Sequence, residues 1–416
     1  MSSDATYTRR AAWATVGLTF IALGLIIALR GTLGLLMPEW EGSLGWSRTL
    51  VSSGGAVMLL LMAVGGPVGG NLLDRWGPRP VYVGGMLLVG AGALIASQLS
   101  AAWAFVIFFC AVVGLGSGAL NLPTASTTMA LLFTRRQGLV TGIALAGASG
   151  GQLFLMPSLA ISVGAIGWRS TYIIIGAALF GLAGAAWLLL RGVASASQND
   201  AATRVGQSGG GSLTRRLKFL FTNRAFLLML GAFTICGFTT AGVVDVHFLP
   251  YAALCGFLPL ESTTAYGIHG VGNMIGVILF GWLADKMSPR LLLAGMFFGR
   301  AASFLILMRI AGDWPLMIVF VVLFGLINFA TLPVLAAIVR QHLGVGIMGL
   351  SLGLMFGGHS LGAAAGALMG GWLFDLFAHY DWVWNIALAL AVLAGVLILM
   401  IRPGAPLGRG AVSEAA

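Results

Sequence analysis

The stretch GNLLDRWGPRP, Gly70 to Pro80, concentrates charge in a chain that otherwise has little of it. It holds Asp74, Arg75 and Arg79, although Asp, Glu, Lys and Arg together make up only 8% of the 416 residues. A related stretch, GWLADKMSPR, returns at Gly281 to Arg290. The recurrence of one charged pattern in an apolar chain indicates two similar units, each with this loop at the same place.

The composition predicts that these units lie in a bilayer. Hydrophobic residues make up 59% of the chain, and its mean hydropathy is +0.99. A soluble domain carries roughly 25% charged residues, so this chain has too little polar surface to face water on all sides. Because a spanning helix needs about 20 mostly apolar residues, the chain accommodates about twelve of them. The expected fold class is an all-α membrane protein with helices near 12–37, 49–72, 80–98, 104–130, 138–164, 170–190, 226–252, 263–284, 290–310, 315–338, 345–373 and 382–401.

The basic residues predict the orientation of the chain. Lys and Arg outnumber Asp and Glu by 22 to 12, and the formal net charge is +10. One side of the expected helices holds only Arg48, Arg169 and Arg309. By the positive-inside rule the richer side faces the cytoplasm, so we expect both termini there and interpret the charge as a topology signal rather than a nucleic-acid surface. The richer side holds Arg9, Arg10, Arg75, Arg79, Arg135, Arg136, the cluster within 191–224, Lys286, Arg290, Arg340, Arg402 and Arg409.

A polar segment separates two halves that resemble each other. Residues 192–224 are rich in Ser, Gly, Asn and Gln and end in a basic cluster, which is typical of a linker. The sequence therefore predicts an N-terminal six-helix bundle over 1–191, a cytoplasmic linker over 192–224 and a C-terminal six-helix bundle over 225–416. TGIALAGASGGQ (Thr141–Gln152) aligns without gaps to MGLSLGLMFGGH (Met348–His359), each in the fifth helix of its half. Such a repeat is the architecture of transporters whose halves rock around a central site.

On these residues the chain resembles the major facilitator superfamily from end to end. GNLLDRWGPRP is similar to that superfamily's signature loop between helices 2 and 3, although the second copy has Lys286 and Ser288 where arginine and glycine are usual. The resemblance implies transport, and a closer one implies proton-linked movement of small organic anions. Four stretches resemble bacterial members of the monocarboxylate porter group: LGWSR (44–48), GWRSTY (167–172), VHFLPYAALCGF (246–257) and GGHSLGAAAGALMGGWLFD (357–375).

The repeated loop is a candidate cytoplasmic gate. Asp74 and Asp285 are expected to pair with basic groups and helix ends while the cytoplasmic side is closed, and to release them when it opens. The plainer alternative is that the loop only anchors the topology, and the two roles are compatible. The candidate gate residues are Gly70, Asp74, Arg75, Arg79, Gly281, Asp285, Lys286 and Arg290.

Two arginines fall inside apolar runs, where a charge costs at least about 2.5–3.5 kcal/mol and needs a partner or a water-filled cavity. At about 1.5 Å per residue, Arg30 lies roughly 12 Å from the outer end of the first helix, which lines the central cavity in the superfamily that the chain resembles. Because a guanidinium fork matches two carboxylate oxygens, Arg30 is a candidate substrate clamp, the alternative being a structural ion pair. Arg300, in the ninth helix, is either a structural ion pair within its half or a substrate contact.

The seventh helix carries Asp245 and His247 in VVDVHFLPY. Two residues apart on a regular helix, they point about 200° apart, so we expect one to line the cavity and the other to pack against a neighbour. Asp245 is the only acidic residue within an apolar run. It is either the carrier of the coupling proton or a permanent counter-ion of Arg30 or Arg300. His247 is a candidate substrate contact.

The remaining candidates are polar residues inside the helices. Gln152 and His359 occupy equivalent positions of the repeat, and each follows two glycines. Both are candidate substrate contacts, the alternative being hydrogen bonds between helices, and His359 can also carry a proton at physiological pH. Known monocarboxylate porters place their substrate arginine on helix 8, where this chain has His269 and Asn273 instead, so Arg30 or Arg300 would have to replace it. The candidate substrate contacts also include Asn121, Asn273 and Asn328.

These features favour a proton-coupled symporter of a small monocarboxylate or related organic anion that works by alternating access. The sequence has no GxxxxGK[ST] loop for ATP. The alternative is a proton-driven exporter of lipophilic drugs or metabolites, in which Asp245 selects cations. Without HxxxH or CxxC spacing, the His and Cys residues predict neither an enzyme nor a metal site. We expect a monomer in the bacterial cytoplasmic membrane that needs no cofactor, whose partners are the organic anion, the proton and the bilayer.

Overall fold

The computed structural model describes residues 9–46, 48–191, 193 and 212–403, and every regular element within these ranges is helical. Within the same ranges, eleven segments are long and apolar enough to cross a membrane. The longest, Gln137–Leu189, holds two helices that meet at Gly167 (φ 79°, ψ 158°), a backbone conformation that glycine adopts far more easily than other residues. The described chain therefore has twelve spanning helices, and the predicted all-α membrane fold is confirmed.

We number the spanning helices α1 to α12 and divide them into two halves of six. The first half has α1 (Arg9–Leu35), α2 (Arg48–Trp76), α3 (Pro78–Ala96), α4 (Ala102–Leu132), α5 (137–166) and α6 (168–189). The second half has α7 (Arg224–Leu254), α8 (Pro259–Ala284), α9 (Pro289–Leu307), α10 (Trp314–Leu343), α11 (Met348–Phe377) and α12 (Asp381–Leu399). We call the end of the bundle that carries Asp74 and Asp285 the basic end.

Two shorter helices lie outside the spanning set, and the sequence patterns predict neither. Met37–Leu44 follows α1 and buries Trp40 among other aromatic rings. Leu213–Thr222, which we call the linker helix, lies within the segment 192–224 predicted to be a linker. Gly192 and residues 194–211 of that segment lie outside the described residues.

Asparagines mark breaks at matching places in α4 and α10, where the sequence predicts uninterrupted helices. The backbone of α4 leaves the helical region at Leu120 (φ −103°, ψ 84°). The Asn121 side chain then accepts the Thr124 N–H at 3.0 Å and caps the next helical segment. α10 is interrupted between Asn328 and Thr331. The equivalent breaks agree with a chain built from two six-helix repeats.

The backbones of the two halves meet closely at the basic end. There α2 packs on α11, and α5 packs on α8. A Cβ on Gly353 of α11 would lie 2.5 Å from the Gly66 carbonyl oxygen, and a Cβ on Gly142 of α5 would lie 2.5 Å from the Val277 carbonyl oxygen. We call these two contacts between the halves, α2 with α11 and α5 with α8, the seams. Because real Cβ atoms do not approach a backbone atom so closely, both seams need glycine to close.

Candidate functional site

The carboxylate of Asp74, near the end of α2, bridges the two halves. Its Oδ1 accepts the Gly349 N–H at 2.8 Å, and its Oδ2 accepts the Leu350 N–H at 2.9 Å. Both amides belong to the first turn of α11, where N–H groups lack partners within the helix and the helix dipole favours a negative charge. Arg216 of the linker helix pairs with the same carboxylate and also donates to Asn71 at 2.5 Å. These partners of Asp74 therefore come from α11 and from the linker helix.

Asp285 repeats this arrangement across the other seam. It directly follows α8, and its two oxygens accept the N–H groups of Gly138 and Leu139 at 2.8 Å and 3.0 Å. Both amides lie in the first turn of α5. Each half therefore places one carboxylate on the N-terminus of the fifth helix of the other half. We call these two carboxylates and their four amide donors the latch.

Three of the four basic residues predicted for the gate contact their own halves. The Arg79 guanidinium lies 3.4 Å from the centroid of the Trp187 ring on α6. The Lys286 ammonium lies 3.8 Å from the centroid of a tryptophan ring of α8. Arg290 donates to two backbone carbonyls at the end of α12 at 3.2 Å and 2.8 Å, and Arg75 is exposed. These contacts hold each loop on its own bundle, and a gating role for the four side chains stays a prediction.

Arg30, the predicted clamp, lies in the spanning helix α1 and is partly exposed. The neighbouring Gly31 allows α5 to approach, because a Cβ there would lie 2.8 Å from the sulfur of Met156. The Nε of Arg30 has no hydrogen-bond partner, and Arg30 forms no ion pair with any residue that the structure describes.

Asp245, the predicted proton carrier, lies in the spanning helix α7 and is exposed. It follows directly after a π-helical segment of α7, Phe238–Val244, and such segments are common at functional sites. Tyr266 of α8 donates its hydroxyl to Oδ1 at 3.4 Å. Within the described ranges Asp245 forms no ion pair with Arg30 or Arg300.

His247 points away from Asp245 and is buried between helices. Its Nε2 lies 3.0 Å from the Ala367 carbonyl oxygen on α11, and its Nδ1 lies 3.4 Å from the Tyr380 hydroxyl. Both ring nitrogens therefore face protein groups in this conformation. Of the two residues, Asp245 is the exposed one and His247 packs against its neighbours, and a substrate contact by His247 stays a prediction.

Arg300 is fully buried within the second half, where its side chain is 0% exposed. Its Nη1 donates to the Cys236 sulfur at 3.1 Å and to the Thr239 hydroxyl at 3.2 Å, both on α7. Its Nε and Nη2 have no partner in the described part of the chain. The structural ion pair considered for Arg300 is not formed with any described residue. Neutral polar groups and the rings of Phe297 and Phe324 surround it instead.

Gln152 and His359 lie at corresponding places on α5 and α11. Gln152 is exposed and belongs to the π-helical segment Gly151–Leu155. His359 is partly buried and lies beside the Cys236 thiol. The same imidazole is close enough to Asp245 to influence its carboxylate electrostatically. His359 is therefore close both to the buried Cys236 and to Asp245.

The predicted asparagine contacts are buried at the helix breaks. Asn121 donates to the Gly118 carbonyl at 2.6 Å in addition to its capping bond. Asn273 of α8 accepts the Phe329 N–H at 3.3 Å, beside the break in α10 that begins at Asn328. Their polar groups satisfy backbone atoms that the breaks leave free. Substrate contact by the three asparagines stays a prediction.

Sequence reasoning missed two residues of this arrangement. In the sequence, Arg216 is one member of a basic cluster in a polar segment, and nothing in that composition distinguishes it. The amphipathic spacing of the linker helix is the signal that could have identified it. Tyr266 lies inside an apolar run, where a buried hydroxyl needs a hydrogen-bond partner. That requirement could have pointed to the neighbouring Asp245.

Comparison with known sequences decides the family. The sequence model of the Major Facilitator Superfamily matches residues 19–293 and 249–415. The chain belongs to the Major Facilitator Superfamily. Human monocarboxylate transporter 11 is 28% identical to this superfamily member over 401 residues, which cover 93% of this chain and 80% of the relative. The uncharacterized MFS-type transporter YcxA of Bacillus subtilis is 25% identical over 403 residues, which cover 94% and 95%.

Solved structures show the same Major Facilitator Superfamily fold. A variant of the E. coli fucose:proton symporter FucP matches with a TM-score of 0.73 at 15% identity, over 94% of this chain and 99% of that chain. The human organic anion transporter MFSD10 (TETRAN) matches with a TM-score of 0.68 at 16% identity, over 93% and 99%. The major facilitator fold and the resemblance to monocarboxylate transporters are thereby confirmed.

Proposed function

We propose that the protein is a proton-coupled symporter of a small monocarboxylate or a related organic anion and that it works by alternating access. The observation that carries the proposal is the guanidinium of Arg30, which lies in a spanning helix, is partly exposed and has no ion-pair partner among the described residues. Removing a charge from water is unfavourable unless an opposite charge compensates it, and the guanidinium fork fits a carboxylate. Relatives named monocarboxylate transporters support this class of substrate.

Asp245 is the proposed carrier of the coupling proton. It is exposed within a spanning helix, and the described residues offer it a tyrosine hydroxyl rather than an arginine. A carboxylate that no cation holds permanently ionised is free to gain and lose a proton during the cycle. His359, the imidazole close to it, is the second proposed proton-binding group.

The latch supports alternating access. Asp74 and Asp285 close the basic end by bonding amides of the opposite half, while Asp245 and Gln152 remain exposed. The positive-inside rule makes the basic end the cytoplasmic face, with both termini in the cytoplasm, so this arrangement is an outward-facing state. The proposed setting is the cytoplasmic membrane of a bacterium, where the chain acts as a monomer. Opening toward the cytoplasm requires each carboxylate to leave its helix N-terminus for water.

Uptake of radiolabelled short monocarboxylates into proteoliposomes tests the proposal. The panel is run with and without an inward proton gradient, for the unaltered chain and for Arg30→Gln and Asp245→Asn. Arg309→Gln is the matched control, because Arg309 is exposed and lies outside the spanning helices. We expect one acid to accumulate only with the gradient, Arg30→Gln to raise KM at least about tenfold, and Asp245→Asn to abolish accumulation.

Two results would contradict this function. One is an acid that enters equally well without a proton gradient. The other is a chain that moves no acid but expels lipophilic cations in a way that depends on Asp245, which would establish the exporter and leave Arg30 a structural residue.

A further inference from the structure

The linker helix is attached to the second half. A single residue, Asn223, lies between its last residue and the start of α7, and the Asn223 side chain caps α7 by accepting the Phe226 N–H at 3.1 Å. Leu220 of the linker helix is fully buried in the same apolar cluster as Phe226. Because the connection is short and the buried face of the linker helix packs against α7, the linker helix moves together with α7.

Arg216 extends from this helix to the first half. One Nη donates to Asp74 and the other donates to Asn71 at 2.5 Å, and both acceptors lie on α2. The side chains of Arg216 and Asp74 are 0% and 1% exposed, so the ion pair is sealed from water. The same carboxylate also accepts the N–H groups of Gly349 and Leu350. The second half therefore binds one carboxylate of the first half from two directions.

The other seam has no equivalent arginine among the described residues. Asp285 accepts the amides of Gly138 and Leu139 of the opposite half. Arg340, the basic side chain that lines the same narrow gap, is on α10 and so belongs to the half of Asp285 itself. A cation carried by the linker helix thus distinguishes the Asp74 seam from the Asp285 seam.

We propose that Arg216 is a positioning residue of the transport cycle. Its ion pair binds the linker helix to Asp74 and thereby stabilises the closed state of the cytoplasmic end. The inference rests on the proposed alternating access. Opening separates α2 from α11, and Arg216 moves with the second half, so its pair with Asp74 must break in the same step. In the open state water solvates both charges, whereas in the closed state a lone Asp74 or Arg216 would remain buried. Loss of Arg216 therefore destabilises the closed state more than the open state.

A thiol reporter at Ala336 tests the proposal without any substrate. Ala336 is 4% exposed and lines the gap beside Asp285, on the seam away from Arg216, so its accessibility reports opening of the whole cytoplasmic end. Ala336→Cys is introduced together with Cys255→Ser, because Cys110 and Cys236 are already buried. The maleimide labelling rate is then measured in nanodiscs for Arg216→Gln, Arg216→Lys and Arg215→Gln. Arg215 is the matched control, because it is the adjacent residue, carries the same charge and is exposed.

We expect Arg216→Gln to raise the labelling rate at least about tenfold, Arg216→Lys to raise it less, and Arg215→Gln to leave it unchanged. Equal rates for Arg216→Gln and Arg215→Gln would overturn the proposal. If Arg216→Gln does not yield a monodisperse protein, the pair Arg216→Lys and Arg215→Lys decides the question by the same comparison. Because the labelling experiment needs no solute, its outcome does not depend on the substrate class. The outcome of the uptake experiment likewise does not depend on the role of Arg216.

Discussion

Replacement of Gly142 by alanine should open the basic end. A Cβ at Gly142 on α5 would lie 2.5 Å from the Val277 carbonyl oxygen on α8, across the seam. Ordinary contact begins at 3.4 Å, so in a close-packed interface α5 and α8 must separate by about 0.9 Å. The same shift lengthens the Asp285 hydrogen bonds from 2.8 Å and 3.0 Å to about 3.7 Å and 3.9 Å, which is too long for a hydrogen bond.

The expected magnitude follows from these two bonds. A hydrogen bond to a charged group contributes about 1.5–3 kcal/mol, so the closed state loses about 3–6 kcal/mol relative to the open state. This corresponds to a shift of about 100-fold to 20,000-fold in the equilibrium between the two states. The clash occurs only between the halves, so each six-helix half should keep its own structure.

Maleimide labelling of the Ala336→Cys reporter measures this shift. Gly164→Ala is the matched control, since Gly164 lies on the same helix and no atom lies within 4 Å of the Cβ that would be added there. The control also matches the gain in helix propensity that an alanine brings. We expect fast labelling in Gly142→Ala and slow labelling in Gly164→Ala. Equal labelling of the two variants would refute the reasoning that the seam at Gly142 keeps the latch closed.

Three further changes give separate expectations. Asp285→Asn removes the charge at the N-terminus of α5 and leaves one oxygen to accept two N–H groups, so labelling of the reporter should rise at least about tenfold, and an unchanged rate would mean that these bonds do not hold the seam closed. Tyr266→Phe removes the hydroxyl bonded to Asp245, so the maximal rate of proton-driven uptake should fall several-fold while KM changes less than about twofold; a change in KM alone would contradict this. His247→Ala removes the contacts with the Ala367 carbonyl and the Tyr380 hydroxyl, so unfolding followed by intrinsic fluorescence should show a loss of about 1–3 kcal/mol, and an unaltered midpoint would exclude a structural role.

The spanning helices and the latch carboxylates could be predicted because their signals are local. Apolar length defines each span, and Gly167 interrupts the run between α5 and α6 with a backbone that favours glycine. The loops around Asp74 and Asp285 stand out because charge is scarce. The repeated aspartates predicted an interaction with helix ends, and in the structure each carboxylate bonds the first turn of a helix from the other half.

The partners of these carboxylates could not be predicted, because they depend on contacts between distant parts of the chain. The Gly349 amide follows Asp74 by 275 residues, and no periodic pattern connects the two. Arg216 lies in a segment whose composition indicates a linker, and only the packing of Leu220 turns its side chain into the seam. The helix breaks at Asn121 and Asn328 could not be predicted for a related reason, because an apolar run does not show where its backbone bends.

Under the proposed function, the accessible charges inside the bundle give a physical reason for coupling an anion to a proton. Arg300 is 0% exposed, whereas Arg30 is partly exposed and Asp245 is exposed, so the accessible site of the empty carrier is neutral when both are ionised. A monocarboxylate on Arg30 leaves that site with one negative charge, and a proton on Asp245 removes this charge. The empty carrier and the fully loaded carrier are therefore both neutral at the site, whereas a carrier loaded with the anion alone is not. Because enclosing an uncompensated charge away from water is unfavourable, the two neutral carriers reorient more easily, and the proton sets when the anion is allowed to move.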